Sequence, residues 1–336
     1  MFALLQVPLV AGGNYDLADL FWNNPSYGGV VAKSSGLISN HIAKSRLGVL
    51  RVWGPAMEPA YLGAHLGLVA TTWIALLVVG GRRSKNLWSI GGLVIVLVAL
   101  VLTQARGALL AFCVCAGLQF VVGVDMRRRR NKALALLFVP AILAGSWLGL
   151  ARMAGQTPED MMQERFGFLA SPDELHEDYS AGARFAAVRI AFDMLKDYPL
   201  LGVGIGNYGF HVYEYIKSEH RYSEFKAGEW HVPFGWPAWA MSETGLAGTL
   251  LFLAVLLQVA KSAVRLWRDP RWRWLAGLSW GFLSLVIGGI AGSHVITPYW
   301  WVCIGLILGA ERCRQASVHF ELEAIPKRLD TVVVTR

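Results

Sequence analysis

The sequence predicts an all-α polytopic membrane protein with about seven transmembrane helices and one large helical extracytoplasmic loop. Three observations carry that expectation. The 336 residues are 55% hydrophobic and only 16% charged, and the mean hydropathy is positive, +0.44, outside the balance of soluble domains. Apolar runs close to the ~20 residues that cross a bilayer recur along the chain. Basic residues gather in short blocks beside those runs: Arg82 to Lys85, Arg127 to Arg130, Arg265 to Arg273, and Arg312 with Arg314. The net charge of +8 is thereby read as the patterning that orients helices in a membrane. Membrane lipids are the expected surroundings, and no nucleic acid is expected as a partner.

Met1 to Val10 is apolar but too short to span, and it lacks the basic region and cleavage site of a signal peptide. Residues 1–59 form an outer-face segment with a turn-rich stretch at Trp22–Ser26 and a Gly- and Pro-containing loop from Arg51 to Pro59. Residues 60–150 hold four spans, at Ala60 to Gly80, Leu87 to Thr103, Gly107 to Val124 and Ala133 to Leu150. Residues 151–243 do not span and carry most of the acids. Residues 244–310 hold three more spans, at Thr244 to Ala260, Trp274 to Gly292 and Ile296 to Ala310, and 311–336 form a short polar cytoplasmic tail. With every basic block in the cytoplasm, the chain threads without conflict. The Arg51 loop, the Arg106 turn, the 151–243 segment and His294 then all lie outside. The N-terminus also falls outside, as expected if upstream spans are missing from this reading frame or if Met1–Val10 is the remnant of one.

Arg106 is the one formal charge between Leu87 and Val124. A guanidinium at the bilayer centre costs on the order of 2.5–3.5 kcal/mol on insertion scales. That cost places Arg106 at a turn between two helices, eased by Gly107, where it serves as a snorkelling anchor or as a binding group for an anion. Further on, Ser180 reads as the N-cap of an amphipathic helix running to Tyr198. Phe185, Val188, Phe192 and Leu195 form its apolar, packing stripe. Arg184 and Arg189 flank the stripe, pointing along the packed surface or into solvent. Pro199 to Asn207 carries three glycines but no βαβ context, so it reads as a tight turn with close backbone approach, in the manner of an anion nest rather than a nucleotide cradle.

His211, His220 and His231 are candidate bases or structural hydrogen-bonders. No His-Glu-x-x-His pair is present, so no metal site is expected, and no cofactor. The four cysteines lie in or beside spans and frame no disulfides in the outer segment; Cys113 and Cys115 have the wrong spacing for zinc. Gly235 to Trp239 is an aromatic stretch suited to an interface or to stacking sugars. Glu243 opens the fifth span, where the helix dipole alone would account for it.

Thr103-Gln104-Ala105-Arg106-Gly107-Ala108-Leu109-Leu110, then Arg184 fifteen residues before Pro199-Leu200-Leu201-Gly202-Val203-Gly204, then Glu243-Thr244-Gly245-Leu246-Ala247-Gly248, together resemble the O-antigen ligase and polymerase family. The resemblance covers roughly Arg51 to Ala310. It implies a metal-independent, inverting bacterial inner-membrane glycosyltransferase with its active site on the periplasmic face. The implied donor is a glycan on undecaprenyl pyrophosphate, and the acceptor a hydroxyl on lipid A core or on a growing glycan. It further implies that Arg106 and Arg184 hold the donor pyrophosphate, with Arg51 as a third contact; Arg189 and Glu243 are expected as further binding residues. Family members carry a His-Asn pair about nine residues before the glutamate; that position is Phe234 here. The nearest histidine, His231, is then the candidate acceptor-activating base. Family members also have several more N-terminal spans.

Ligation to lipid A core in lipopolysaccharide biosynthesis is the leading expectation, with glycan polymerisation as its sibling. A transporter would require ionisable groups along a mid-membrane pathway. Apart from Arg106, the spans offer little beyond His65 near an outer end. A structural scaffold would leave the arginines of the outer face without a role.

Overall fold

The computed structural model describes residues 59–79, 87–122, 129–167, 179–216, 232–272, 274–290, 292 and 298–333. Arg51, His220, His231, His294 and the basic block Arg82–Lys85 lie outside the described residues. Within them the elements are ten α-helices. The first five are α1 Pro59–Val79, α2 Leu87–Leu102, α3 Arg106–Val122, α4 Arg129–Ala154 and α5 Pro158–Phe166. The others are α6 Tyr179–Asp197, α7 Tyr208–Tyr215, α8 Trp236–Arg268, α9 Ala276–Gly288 and α10 Pro298–Val333.

Each of the seven apolar runs expected to span is occupied by a helix. α1 and α8 are long and apolar enough to cross a membrane by length and composition; α2, α3, α4 and α9 contain shorter apolar stretches. Several boundaries differ from the sequence expectation. α8 consists of two helical segments that meet at a kink at Gly245: the second begins beside the expected start at Thr244, and the first runs from Trp236, where Gly235 (φ 83°) turns the chain and Pro237 suits a first helical turn. α6 starts at Tyr179, so Ser180 lies inside the helix instead of capping it. α10 continues to Val333, where a short polar tail was expected.

α9 is the centre of the bundle and packs against α1, α3, α8 and α10. Glycines set how closely it does so. A Cβ on Gly281 would stand 2.7 Å from the Leu68 carbonyl oxygen, and one on Gly277 would stand 3.3 Å from that of Thr72. Small residues let helix backbones approach where lipid supplies no hydrophobic driving force. One buried cluster gathers Leu68, Phe252, Leu285 and Trp300 around this contact; a second gathers Ile74, Leu97, Leu100 and Phe112 between α1, α2 and α3. The buried Gln119 side chain donates to the Thr71 carbonyl at 2.8 Å, tying α3 to α1.

The two ends of the bundle differ in chemistry. At one end, the Arg265 guanidinium of α8 stands 3.5 Å from the Glu311 carboxylate of α10. Arg314 bonds Glu311 at 2.8 Å and faces Asp269 at 3.9 Å. The Arg314 hydrogen bonds hold the Glu311 carboxyl below the usual carboxylate range. At the other end lie the start of α1, the α2–α3 turn, the end of α9 and the starts of α8 and α10. A Cβ on Gly63 of α1 would meet Ala105, the Trp236 N–H donates to the Gly289 carbonyl at 2.9 Å, and His65 and Tyr299 rings meet edge to face at 5.6 Å.

α6 corrects the expected packing stripe. Its buried face is Ala183, Ala186, Ala187, Ile190, Ala191 and Met194, whereas Phe185, Val188 and Phe192 are exposed. Helical spacing fits both faces; short alanines win the inward one because α6 lies close against α8.

The central α1–α9 contact yields a direct test. Gly281→Ala would press a methyl against a carbonyl that cannot move aside, an overpacking cost of about 1–3 kcal/mol. We expect a lower thermal midpoint for the detergent-solubilised variant, read by fluorescence-detected size exclusion. An unchanged midpoint would show that α9 does not sit against α1 there.

Candidate active site

The α2–α3 turn is built from Thr103, Gln104 and Ala105. The Thr103 hydroxyl donates to the Leu100 carbonyl at 2.7 Å and accepts the Ala105 N–H at 3.2 Å. Gln104 takes the left-handed conformation, φ 53°, a costly choice for a residue with a Cβ. The sequence pointed to Gly107 as the hinge. Gly107 is instead inside α3 and faces α9, where a Cβ would stand in ordinary contact, 4.0 Å from the Gly288 carbonyl oxygen.

Arg106 is the first residue of α3 and is half-buried. A cation at a helix N-terminus sits against the positive end of the dipole, an unfavourable placement of roughly 0.3–1 kcal/mol. An anion bound there meets both the guanidinium and the helix end. Arg106 lines a shallow cleft with Gln104, Leu109, Trp147, Leu150 and Phe166, in which the Trp147 and Phe166 rings lie 6.0 Å apart.

The second half of the site is organised by a break in α8. Gly245 has φ 62° and ψ −162°, values that end the helical ladder for one residue. The turn after α6 crosses the break. Its Val203 and Gly204 N–H groups donate to the Ser242 and Glu243 carbonyls at 2.8 and 3.1 Å. In return the Leu246 and Ala247 N–H groups donate to the Pro199 and Leu200 carbonyls, also at 2.8 and 3.1 Å. The groups freed by the break are thus satisfied by the crossing strand of chain, as buried backbone requires. The contact needs glycine on both sides: a Cβ on Gly202 would stand 2.5 Å from the Ser242 carbonyl oxygen, and one on Gly245 2.5 Å from the Gly202 nitrogen.

Glu243 is buried beside this crossing. Its carboxylate accepts the Gly206 N–H at 2.9 Å and the Tyr208 N–H at 3.4 Å. The glycine-rich turn does form an anion nest, and the anion it holds is Glu243. The dipole that Glu243 serves is accordingly that of α7, not that of its own helix. Burial, with the Glu243 carboxylate nearby, raises the Tyr208 phenol above its usual range, so it stays neutral.

Arg184 lies half-buried on α6, its guanidinium 5.8 Å from the centre of the Phe234 ring. Two residues on, Trp236 binds Gly289, and the neighbouring Gly288 faces Gly107, next to Arg106. The structure therefore brings Arg106 and Arg184 to one end of the bundle through this short series of contacts. Arg189 is exposed on α6. Arg51 and His231 fall outside the described residues. Among the described residues, no group of three or more His, Cys, Asp and Glu side chains is placed to hold a metal ion. Phe234 was visible in the sequence only as the residue standing where a histidine was expected; its role beside Arg184 required the fold.

Residues 91–253 match the family model described as O-antigen ligase. The chain carries an O-antigen ligase-family domain. No curated protein matches the chain. The matched residues run from α2 into α8 and include Arg106, Arg184, Arg189, His231 and Glu243, while Arg51 precedes them. The O-antigen ligase family is membrane-associated and comprises glycosyltransferase-like ligases and polymerases acting on glycan and lipid-linked substrates. Two close approaches of the domain, that of the α2–α3 turn to α9 and the crossing at α8, lie inside the match or at its contacts.

The crossing is the more exacting of the two. Gly245→Ala would place a methyl 2.5 Å from the Gly202 nitrogen in a backbone region open essentially to glycine, at a cost of about 1–3 kcal/mol before clashes. We expect loss of folded protein and faster proteolysis between α6 and α7. Tyr208→Phe is the contrasting case. The buried Tyr208 hydroxyl has no hydrogen-bond partner among the described residues, so its removal should leave the thermal midpoint unchanged or raised. A marked destabilisation by Tyr208→Phe would mean the hydroxyl is bonded after all.

Proposed function

We propose that this domain transfers a glycan from undecaprenyl pyrophosphate to an acceptor hydroxyl at the outer face of the bacterial inner membrane. The observation that carries the reading is the presence of Arg106 and Arg184 at the same end of the bundle, opposite the end where Arg265 of α8 meets Glu311 of α10. In this reading the chain crosses the membrane seven times, with the Arg265–Arg314 end in the cytoplasm and the arginine pair in the periplasm. Positive-inside patterning supports that orientation, and the family match supports the chemistry.

The acceptor oxygen attacks the anomeric carbon of the donor sugar. The bond from that carbon to the pyrophosphate oxygen breaks, and undecaprenyl pyrophosphate departs with the electron pair. Attack opposite the leaving group inverts the anomeric centre. Arg106 and Arg184 pair with the pyrophosphate oxygens, where planar guanidinium forks suit phosphate and stabilise the growing negative charge. Arg51 adds a third contact, and Arg189 extends the basic surface toward the donor. His231 takes the acceptor proton. Glu243 acts as a positioning residue: by fixing the turn after α6 it sets where that helix, and Arg184 on it, stands. The mechanism uses no metal. The acceptor is lipid A core, making the product capped lipopolysaccharide.

The test is complementation of a host that assembles the lipid-linked glycan but lacks its own ligase, read on a lipopolysaccharide gel with membrane levels matched. Wild type should yield glycan-capped lipopolysaccharide. Arg106→Ala and Arg184→Ala should each reduce it by at least tenfold, with Arg184→Lys recovering only part, and His231→Ala should abolish it. Ladders of carrier-bound glycan without capping would identify a polymerase instead. Full capping by both arginine variants would remove the proposed donor site.

A further inference from the structure

The turn that crosses α8 carries large apolar side chains on its outer side. Leu201 is 75% exposed and Ile205 77% exposed, and Leu200 and Phe210 stand beside them. Exposed apolar groups held this rigidly need a partner. The turn cannot swing inward, because its backbone is hydrogen-bonded to Ser242, Glu243, Leu246 and Ala247 of α8.

Its depth follows from the same bonds. The Pro199 carbonyl accepts the Leu246 N–H at 2.8 Å, so Leu200 and Leu201 lie level with the first turn of α8 after the break. From there α8 presents Leu246, Leu250 and Leu251 outward, Leu251 at 70% exposure. The outer side chains of the turn thus continue the exposed apolar surface of a helix long enough to cross a membrane. α6 carries an exposed apolar stripe of its own, Phe185, Val188 and Phe192. Charge is placed to match. Lys196 stands 4.9 Å over the Phe192 ring while bonded to Asp193 at 2.8 Å, and Arg189 is exposed on the same helix. Basic groups that reach past an apolar stripe are the arrangement of helices lying in a lipid interface.

We propose that the turn Leu200–Ile205 and the outer face of α6 are seated in the outer leaflet of the lipid bilayer. Leu201 and Ile205 lie among acyl chains, and Lys196 and Arg189 lie at anionic headgroups. The proposal rests on the membrane-crossing reading of α8. It gives α6 a second task, since a helix anchored in the leaflet holds Arg184 at the height of a lipid-borne pyrophosphate.

The experiment uses the full chain in nanodiscs of phosphatidylcholine and phosphatidylglycerol, with Cys113, Cys115, Cys303 and Cys313 replaced by alanine. Single cysteines at Leu201→Cys, Ile205→Cys, Phe192→Cys, Leu251→Cys and Glu214→Cys carry bimane. Quenching is read with acyl-brominated lipids and with aqueous iodide. The expected result is at least threefold stronger bromolipid than iodide quenching at 201, 205 and 251, comparable quenching by both at 192, and iodide quenching alone at 214. Lipid quenching at 251 with iodide quenching at 201 and 205 would overturn the seating while leaving the membrane-crossing reading intact. Iodide quenching at 251 as well would overturn both. Shielding of 201 and 205 from both quenchers would mean a protein partner, such as a second copy, and would also overturn the proposal.

Discussion

The exchange of backbone hydrogen bonds between α8 and the turn after α6 is the constraint on which the Arg184 end of the structure depends. A helix broken at Gly245 would leave buried donors and acceptors unsatisfied, at several kcal/mol each in an apolar surrounding. The segment Pro199–Gly204 meets them, and in doing so it becomes part of the helix it crosses. Everything that follows hangs from this joint. α6 is fixed at its C-terminal end, α7 begins on the Glu243 carboxylate, and Arg184 is brought over Phe234. Glycine at 202 and 245 is a steric requirement of two backbones passing at contact distance.

A second, independent close approach positions the other arginine. α3 meets α9 at Gly107 and Gly288 near the Gln104 turn, and the end of α9 is bonded to the start of α8. The α2–α3 turn and the α6–α8 unit are therefore referred to one central helix. In the proposed function these two cations, placed from different parts of the chain onto one frame, hold the donor diphosphate. Neither relies on the other for position.

Much of this was legible in the sequence, and the parts that were not share a cause. Hydrophobic runs and basic blocks located the helices because membrane cost is local to each segment and survives any tertiary arrangement. The motif around Arg106 and the glycines at 202, 204 and 245 were visible as motifs. What they touch was not. Gly107 read as a hinge because a glycine beside a turn usually is one; its neighbour across the bundle, Gly288, is remote in sequence. Glu243 read as a dipole partner of its own helix, whereas the N–H groups it accepts belong to Gly206 and Tyr208. The α6 stripe was assigned inward on hydrophobicity alone, since the spacing of Phe185, Val188 and Phe192 does not reveal that an alanine face fits α8 more closely. Periodicity names a face; only the partner decides which way it turns.

The most direct test of the central claim is release of undecaprenyl pyrophosphate by the purified chain. The protein, reconstituted with lipid-linked glycan and an acceptor lipid A core, would be assayed for the free carrier diphosphate by mass spectrometry. Acceptor-dependent release that falls at least tenfold in Arg106→Ala and in Arg184→Ala is the expected result. Release at the wild-type rate from both variants, or no release from well-folded wild type with donor and acceptor present, would contradict the assignment of these two arginines to the donor diphosphate.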